Sequence, residues 1–263
     1  MQAIAANISM LCREVELLDR FEAARAAGFD GVEIQYPYRE SPSDLARAAQ
    51  AAGMPVVLIN TPVSRKHPVG LGGRPELRDA FRAQLGQITE YAEALNVRFV
   101  HVLAGQMKSS DDRDRCYSTY AENLSLATDA LAPYGVDVLV EPLNPHDMPN
   151  YLVGTLADAQ SILERCQHCA GLQFDLYHIA RMGLDPAAEL RRWQPLVRHV
   201  QFADAPGRHE PGTGSVDFES ALVVLSEGGY CGWLSAEYIP LTRTSESLRW
   251  LAAWRRFRTA TRR

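Results

Sequence analysis

The sequence is poor in the features that would place it in several large function classes. It has no apolar run long enough to span a bilayer. Its first residues, Met1-Gln2-Ala3-Ile4-Ala5-Ala6-Asn7, carry neither a basic stretch nor the apolar core of a secretory signal. The expectation is a cytoplasmic protein with no membrane partner. Basic charge is also scarce: 27 Lys and Arg face 32 Asp and Glu, for a formal net charge of −5. Phosphate binding needs the opposite balance, which argues against nucleic acid as the main partner. Basic residues crowd only from Trp254-Arg255-Arg256 to Arg262-Arg263, the pattern of a solvated helix end. The five cysteines are an odd number in a long chain, as expected for reduced thiols. Cys166-Gln167-His168-Cys169 looks like half a zinc site, yet no second pair exists.

What the chain does have is alternation. Strand-like runs fall near 3–9, 31–36, 55–61, 97–105, 136–144, 170–178, 198–204 and 231–239. Between them lie stretches of helical period, such as Leu77-Phe81-Leu85-Ile88-Tyr91-Leu95. Helix starts carry capping residues at Ser41, Thr155 and Thr244-Ser245-Glu246, and helix ends carry Gly28 and Gly135. Eight strands, each followed by a helix, is the count of a single (β/α)8 TIM barrel over 1–263. A doubly wound sheet is the rival. It would normally show a Gly-rich loop after its first strand, and Asn7-Ile8-Ser9-Met10-Leu11-Cys12 has none.

Side chains alternate in and out along a barrel strand. Val138 and Val140 oppose Leu139 and Glu141; Leu172 and Phe174 oppose Gln173 and Asp175. Val200 and Phe202 oppose His199 and Gln201, and Leu234 and Ala236 oppose Ser235 and Glu237. The apolar phase suits packing on helices, so the polar phase points inward. Three inward carboxylates repel one another, and a divalent cation removes that penalty. The expected ligands are Glu141, Asp175, Gln201 and Glu237. All offer oxygen, which favours Mg²⁺ or Mn²⁺ over zinc. Glu33 is read equally as a structural inward residue or a substrate contact, and Asp147 equally as a loop cap or a substrate contact. His101 is weighed between a core histidine and a site residue, and His199 is read as a packing residue. Gly212-Thr213-Gly214 reads as a turn before the next helix.

Several blocks carry a resemblance along nearly the whole length. They are Ala6-Asn7-Ile8-Ser9-Met10, Ala27-Gly28-Phe29-Asp30-Gly31-Val32-Glu33, Glu141-Pro142-Leu143-Asn144 and Asp175-Leu176-Tyr177-His178. Further on come Val200-Gln201-Phe202-Ala203-Asp204, Arg208-His209-Glu210-Pro211-Gly212-Thr213-Gly214, Gly232-Trp233 and Glu237-Tyr238. In these the chain resembles the hydroxypyruvate isomerase family, within the xylose-isomerase-like barrels. The resemblance implies a divalent metal on Glu141, Asp175, Gln201 and Glu237, with Glu141 and Glu237 doubling as acid–base catalysts. It implies substrate contacts from His178 and Arg208. It also implies a small hydroxycarbonyl or 2-oxo acid substrate, with hydroxypyruvate converted to tartronate semialdehyde.

The family pattern is departed from at three places: the loop 62–75, the stretch Gly105-Gln106-Met107-Lys108, and Ile239, where a lysine is usual. Fewer basic residues there keep a second reading open, an isomerase or 3-epimerase of another 2-oxo acid or ketose such as 2-oxotetronate. An abasic-site endonuclease and a non-catalytic metal-binding protein are remoter readings, and the oligomeric state stays open, a homo-oligomer included.

Overall fold

The alternation of strand and helix resolves into a barrel. The computed structural model describes residues 3–167 and 169–260, so Arg262 and Arg263 of the basic tail and His168 of the Cys-X-X-Cys stretch lie outside the described residues. Eight parallel strands close in chain order: β1 (Ala3–Asn7), β2 (Gly31–Ile34), β3 (Val56–Asn60), β4 (Phe99–His101), β5 (Asp137–Val140), β6 (Gly171–Asp175), β7 (Val197–Phe202) and β8 (Trp233–Ala236). Helices follow them: α1 (Arg20–Ala26), α2 (Pro42–Ala52), α3 (Arg78–Leu95), α4 (Arg113–Leu131) and α5 (Leu156–Arg165). Next come α6 (Leu176–Arg181) and α7 (Pro186–Trp193), both after β6, then α8 (Phe218–Glu227) and α9 (Arg249–Ala260). None of the described helices is long and apolar enough to cross a membrane. By contact density the chain forms two compact units, Met1–Glu33 with Ala48–Pro55 and Phe174–Arg263, and Ile34–Arg47 with Val56–Gln173.

Local chemistry sets the element boundaries. Ser41 Oγ accepts the Asp44 N–H at 3.1 Å and Thr155 Oγ1 accepts that of Asp158 at 3.1 Å, starting α2 and α5 as expected of N-caps. Thr244-Ser245-Glu246 does not begin α9. It forms one 3-10 turn (Thr244–Glu246), because the Thr244 hydroxyl and N–H are held by Glu14, and the helix starts at Arg249. The strands stop short of the runs read from sequence. β5 ends at Val140 because Pro142 has no N–H to continue a ladder, and Leu143 N bonds instead to Val153 O. The sixth run is corrected most: Asp175 caps a helix through Tyr177 N, so His178 stands in the first turn of α6 rather than on the strand.

In the unit Ile34–Arg47 with Val56–Gln173, the loops following β3, β4 and β5 are zipped together. Gly72 N bonds Leu103 O at 3.0 Å, Gly105 N bonds Val69 O at 2.9 Å and Leu152 N bonds Gly105 O at 3.0 Å. The approach demands glycine: a Cβ on Gly70 would stand 2.3 Å from Leu103 Cβ, and one on Gly73 2.1 Å from Leu152 Cδ2. Arg74 is buried beneath this zip, paired with Asp111 and Glu76 and donating to Gln106 O at 2.6 Å.

In the other unit, α9 is seated by aromatic rings. Trp250 lies 5.0 Å from Phe202 of β7 and 4.9 Å from Trp254, and its indole N–H donates to Tyr238 Oη at 3.2 Å. Trp254 in turn meets Phe202 at 4.5 Å and Phe218 of α8 at 5.6 Å. Trp250→Ala removes the shared ring from this cluster and should cost about 3–5 kcal/mol. Urea denaturation checks it, through a lower midpoint at unchanged slope.

Candidate functional site

Most of the side chains singled out in the sequence are buried at or just beyond the ends of their strands. In the unit Met1–Glu33 with Ala48–Pro55 and Phe174–Arg263, the last inward position of β7 is Gln201, and Glu237 follows β8 by one residue. Both are buried, as are Asn7 at the end of β1, Glu33 on β2 and His199 on β7. Glu33 takes His199 Nε2 on Oε1 in a short contact, and Gln201 Nε2 at 2.8 Å and Asn7 Nδ2 at 3.4 Å on Oε2. Glu237 Oε2 accepts from Asn7 Nδ2 at 3.0 Å and, in a short bond, from Gln201 Nε2. The Gln201 amide thus spends both N–H bonds on carboxylates. Its nitrogen must face them, so its oxygen is the atom that can ligate a cation.

Asp175, last residue of β6, divides its two oxygens. Oδ1 accepts Tyr177 N at 2.9 Å as the cap of α6. Oδ2 is buried with no hydrogen-bond donor among the described residues; its neighbours are His178 Nε2 at 3.8 Å and Arg208 Nη2 at 3.6 Å. Arg208 Nη2 also bonds Glu237 Oε1 at 2.7 Å. Its guanidinium lies over the Tyr177 ring, 5.0 Å from the centroid. Arg208 has φ +57°, a left-handed conformation that costs a side-chain-bearing residue roughly 1–2 kcal/mol. A residue held in that region at a polar site marks a geometry the surroundings enforce.

Burial pushes Asp175 up to about 6, with Arg208 opposing the rise. It pushes Glu237 up to about 8, with Arg208 opposing and Asp175 and Glu33 adding to the rise. The Arg208 cation therefore does not compensate the two carboxylates in full.

In the unit Ile34–Arg47 with Val56–Gln173, Glu141 follows β5 by one residue and is buried. Gln173 of β6 donates to its Oε2 at 2.7 Å, and His101 Nδ1 of β4 stands 3.3 Å from the same oxygen. Burial drives His101 down to about 3, so its imidazole is neutral. Asp147 is exposed and tied to its own loop, accepting from Asn144 Nδ2 at 3.0 Å and donating its N–H to Asn144 Oδ1 at 3.0 Å. The basic residues of the departing loops, Arg65, Lys66 and Lys108, are exposed, the last 3.7 Å from Glu76. Ile239 is 44% exposed.

Three partners carry no role in the sequence reading. Gln173 sits in the inward phase beside Asp175, so its position was legible and its bond to Glu141 was not. Asn7, the polar end of β1, had the same signal. Asp204 fell within the run 198–204 and the Val200–Asp204 block, but nothing in the sequence assigned it a partner. Cys166 ends α5 and is buried, Cys169 is half-buried, and both are free thiols. Glu141, Asp175 and His178 are each buried with an atom able to ligate a metal ion, so a histidine nitrogen joins the candidate donors.

A family model described as a xylose isomerase-like TIM barrel matches residues 21–254. The chain is similar to the 2-oxo-tetronate isomerase of Cupriavidus necator, 37% identical over 257 residues, covering 95% of this chain and 98% of the relative. It is 30% identical to the hydroxypyruvate isomerase of Escherichia coli over 258 residues, 97% of this chain and 100% of that one. A solved chain from Brucella melitensis, described as an AP endonuclease of family 2, superposes with a TM-score of 0.92 at 35% identity, covering 97% and 99%. The chain belongs to the xylose isomerase-like TIM barrel family, in the group that holds the hydroxypyruvate and 2-oxo-tetronate isomerases.

Proposed function

We propose that the protein is a metal-dependent isomerase of a short 2-oxo acid, with hydroxypyruvate as first substrate and tartronate semialdehyde as its product. The observation that carries the proposal is the Glu237 cluster: a buried carboxylate held by Arg208, Asn7 and Gln201, with Arg208 also 3.6 Å from an Asp175 oxygen that has no hydrogen-bond donor among the described residues. Glu141, Asp175, Gln201 and Glu237 are the proposed ligands, with His178 as a further donor. The fit to a cation rests on Asp175 Oδ2, a buried oxygen with no hydrogen-bond donor among the described residues, and on the burial that raises both Asp175 and Glu237. Mostly oxygen donors suit Mg²⁺ or Mn²⁺.

The reaction moves a carbonyl by one carbon through an enediolate. It needs a base for the proton beside the carbonyl and an acid to return it. A divalent cation, when bound, supplies positive charge at the developing oxyanion. Glu141 and Glu237 are the proton carriers. Without a cation, burial pushes Glu237 up to about 8, and a cation bound beside it would bring it down toward the ionised form a base needs. Arg208 fixes Glu237 through Oε1, while Asn7 and Gln201 fix it through Oε2, so the carboxylate keeps one orientation.

A second reading is isomerisation of 2-oxo-tetronate. It is supported by the 37% identity to the Cupriavidus 2-oxo-tetronate isomerase and by an uncharged, exposed side chain at Ile239. The proton chemistry is the same, and only the length of the acid differs. The acidic balance of the chain weighs against a DNA substrate of the kind that the Brucella chain's description implies.

Parallel assays with hydroxypyruvate, 2-oxo-tetronate and uncharged ketoses, in deuterium oxide with Mg²⁺ or Mn²⁺, test the proposal. Solvent deuterium should enter the carbon beside the carbonyl of one of the two acids. Glu141→Gln and Glu237→Gln should each lower that exchange about a hundredfold or more. Full exchange in both variants, or exchange with ketoses alone, would overturn it.

Metal removal should also show in stability. The folded-state values of Asp175 and Glu237 lie above their unfolded ones. Their contribution is therefore present at low pH and lost as pH rises through about 6 and about 8. A bound cation takes the ionised forms and cancels that loss. The Tm difference between Mg²⁺ or Mn²⁺ and EDTA should widen from pH 6 to pH 8, reaching roughly 5–10 °C at metal a hundredfold above Kd. Calorimetry at three pH values checks it, and a difference that is flat with pH counts against these ligands.

A further inference from the structure

We infer that Asp204 is a positioning residue for Arg208, acting through the loop between β7 and α8. Asp204 is 1% exposed, and its carboxylate is surrounded by main-chain donors. Oδ1 accepts the N–H groups of Ala205 at 2.9 Å and Val216 at 3.0 Å. Oδ2 accepts those of Gly212 at 2.8 Å, Thr213 at 3.0 Å and Gly214 at 2.8 Å. Three successive N–H groups converging on one point form an anion-binding nest. The Gly212-Thr213-Gly214 stretch therefore has the chemistry of a phosphate loop, but the anion it holds is the chain's own side chain.

The same residue anchors Arg208 by its main chain. Arg208 N bonds Asp204 O at 2.9 Å, and Asp204 N bonds His209 O at 2.8 Å. Farther out, Arg208 O accepts Ile239 N at 2.8 Å, and His209 Nδ1 meets Ile239 O at 2.7 Å. The loop is thus closed on Asp204 at its base and on Ile239 at its side, with the left-handed Arg208 between the two. That conformation aims the guanidinium at Glu237 and Asp175. Packing around the nest leaves no slack: a Cβ on Gly214 would stand 2.0 Å from Ala205 O and 2.7 Å from Asp204 Oδ1. Asn at position 204 keeps the shape but replaces one acceptor by an NH₂ that faces N–H donors, so one side of the ring of bonds must open.

Asp204 touches no reacting group in this scheme, so its effect on turnover passes through Arg208. The kinetic test rests on the isomerase reading above; the structural test does not. Asp204→Asn, assayed with the better acid substrate, should lower kcat/KM by about tenfold to a hundredfold. In an Arg208→Ala background the same change should lower it by less than about twofold, since the residue it positions is gone. Equal losses in both backgrounds would overturn the inference. A crystal structure of Asp204→Asn should show Arg208 out of hydrogen-bond reach of Glu237; Arg208 unmoved in that structure would also overturn it. If Asp204→Asn does not fold, Gly212→Ala takes its place in both tests, because φ +96° at Gly212 forces an alanine to shift the N–H that Asp204 binds. A wild type that exchanges no deuterium with any substrate defeats the isomerase reading alone, and the crystal structure then decides the role of Asp204.

Discussion

Removing a carboxylate from water is the constraint on which the rest of this structure depends. The cost is several kcal/mol for each ion unless donors or a cation replace the lost hydration. This protein answers in different ways at different residues. Asp204 receives five main-chain N–H groups, and Glu33 receives a histidine and two amides. Burial raises both Asp175 and Glu237, and Asp175 Oδ2 has no hydrogen-bond donor among the described residues. A well-served buried carboxylate organises structure, whereas an under-served one is poised to take a proton or a cation. Asp204 and Asp175 are each 1% exposed, so burial alone does not separate the two roles. The donor count does.

The same comparison explains how far the sequence could be read. Fold class followed from alternation, because a strand with a polar inner phase and an apolar outer phase has few places to go except a barrel packed on helices. The positions of Glu141, Asp175, Gln201 and Glu237 at strand ends followed from phase. Which group serves which carboxylate did not. His199 and Glu33 are 166 residues apart, and Asn7 and Glu237 are 230 apart. No local pattern encodes such pairs; they arise only when the barrel closes. The boundary errors have a local cause. A run of apolar residues continues past Asp175, but the Asp175 side chain offers its oxygen to Tyr177 N and the chain turns into α6. Capping overrode strand propensity there, and it carried His178 off the strand and into the helix.

Glycine-rich segments show a related ambiguity. In sequence the 62–75 segment reads as a loop and the 212–214 stretch as a turn before a helix. In the structure each is a close contact that excludes side chains, Gly70 and Gly73 against Leu103 and Leu152, Gly214 against Ala205. Their rigidity is what lets nearby charges be aimed. Arg74 is held under the first, and Arg208 is presented by the second.

The buried carboxylates and the departures from the family pattern lie on different parts of the chain. The carboxylates belong to strand ends, whose direction the barrel ladder fixes, and their environment is set by residues such as Gln201 and Asn7 that are themselves on strands. The departures from the family pattern all fall on loops, at 62–75, 105–108 and 239. A change at Ile239 alters the charge offered at an exposed position without touching the hydrogen bonds that its main chain makes to Arg208 and His209. The backbone of residue 239 therefore holds Arg208 and His209 while its side chain stays exposed. That separation is general to barrels, in which strand ends hold buried groups in fixed directions while loops carry variation.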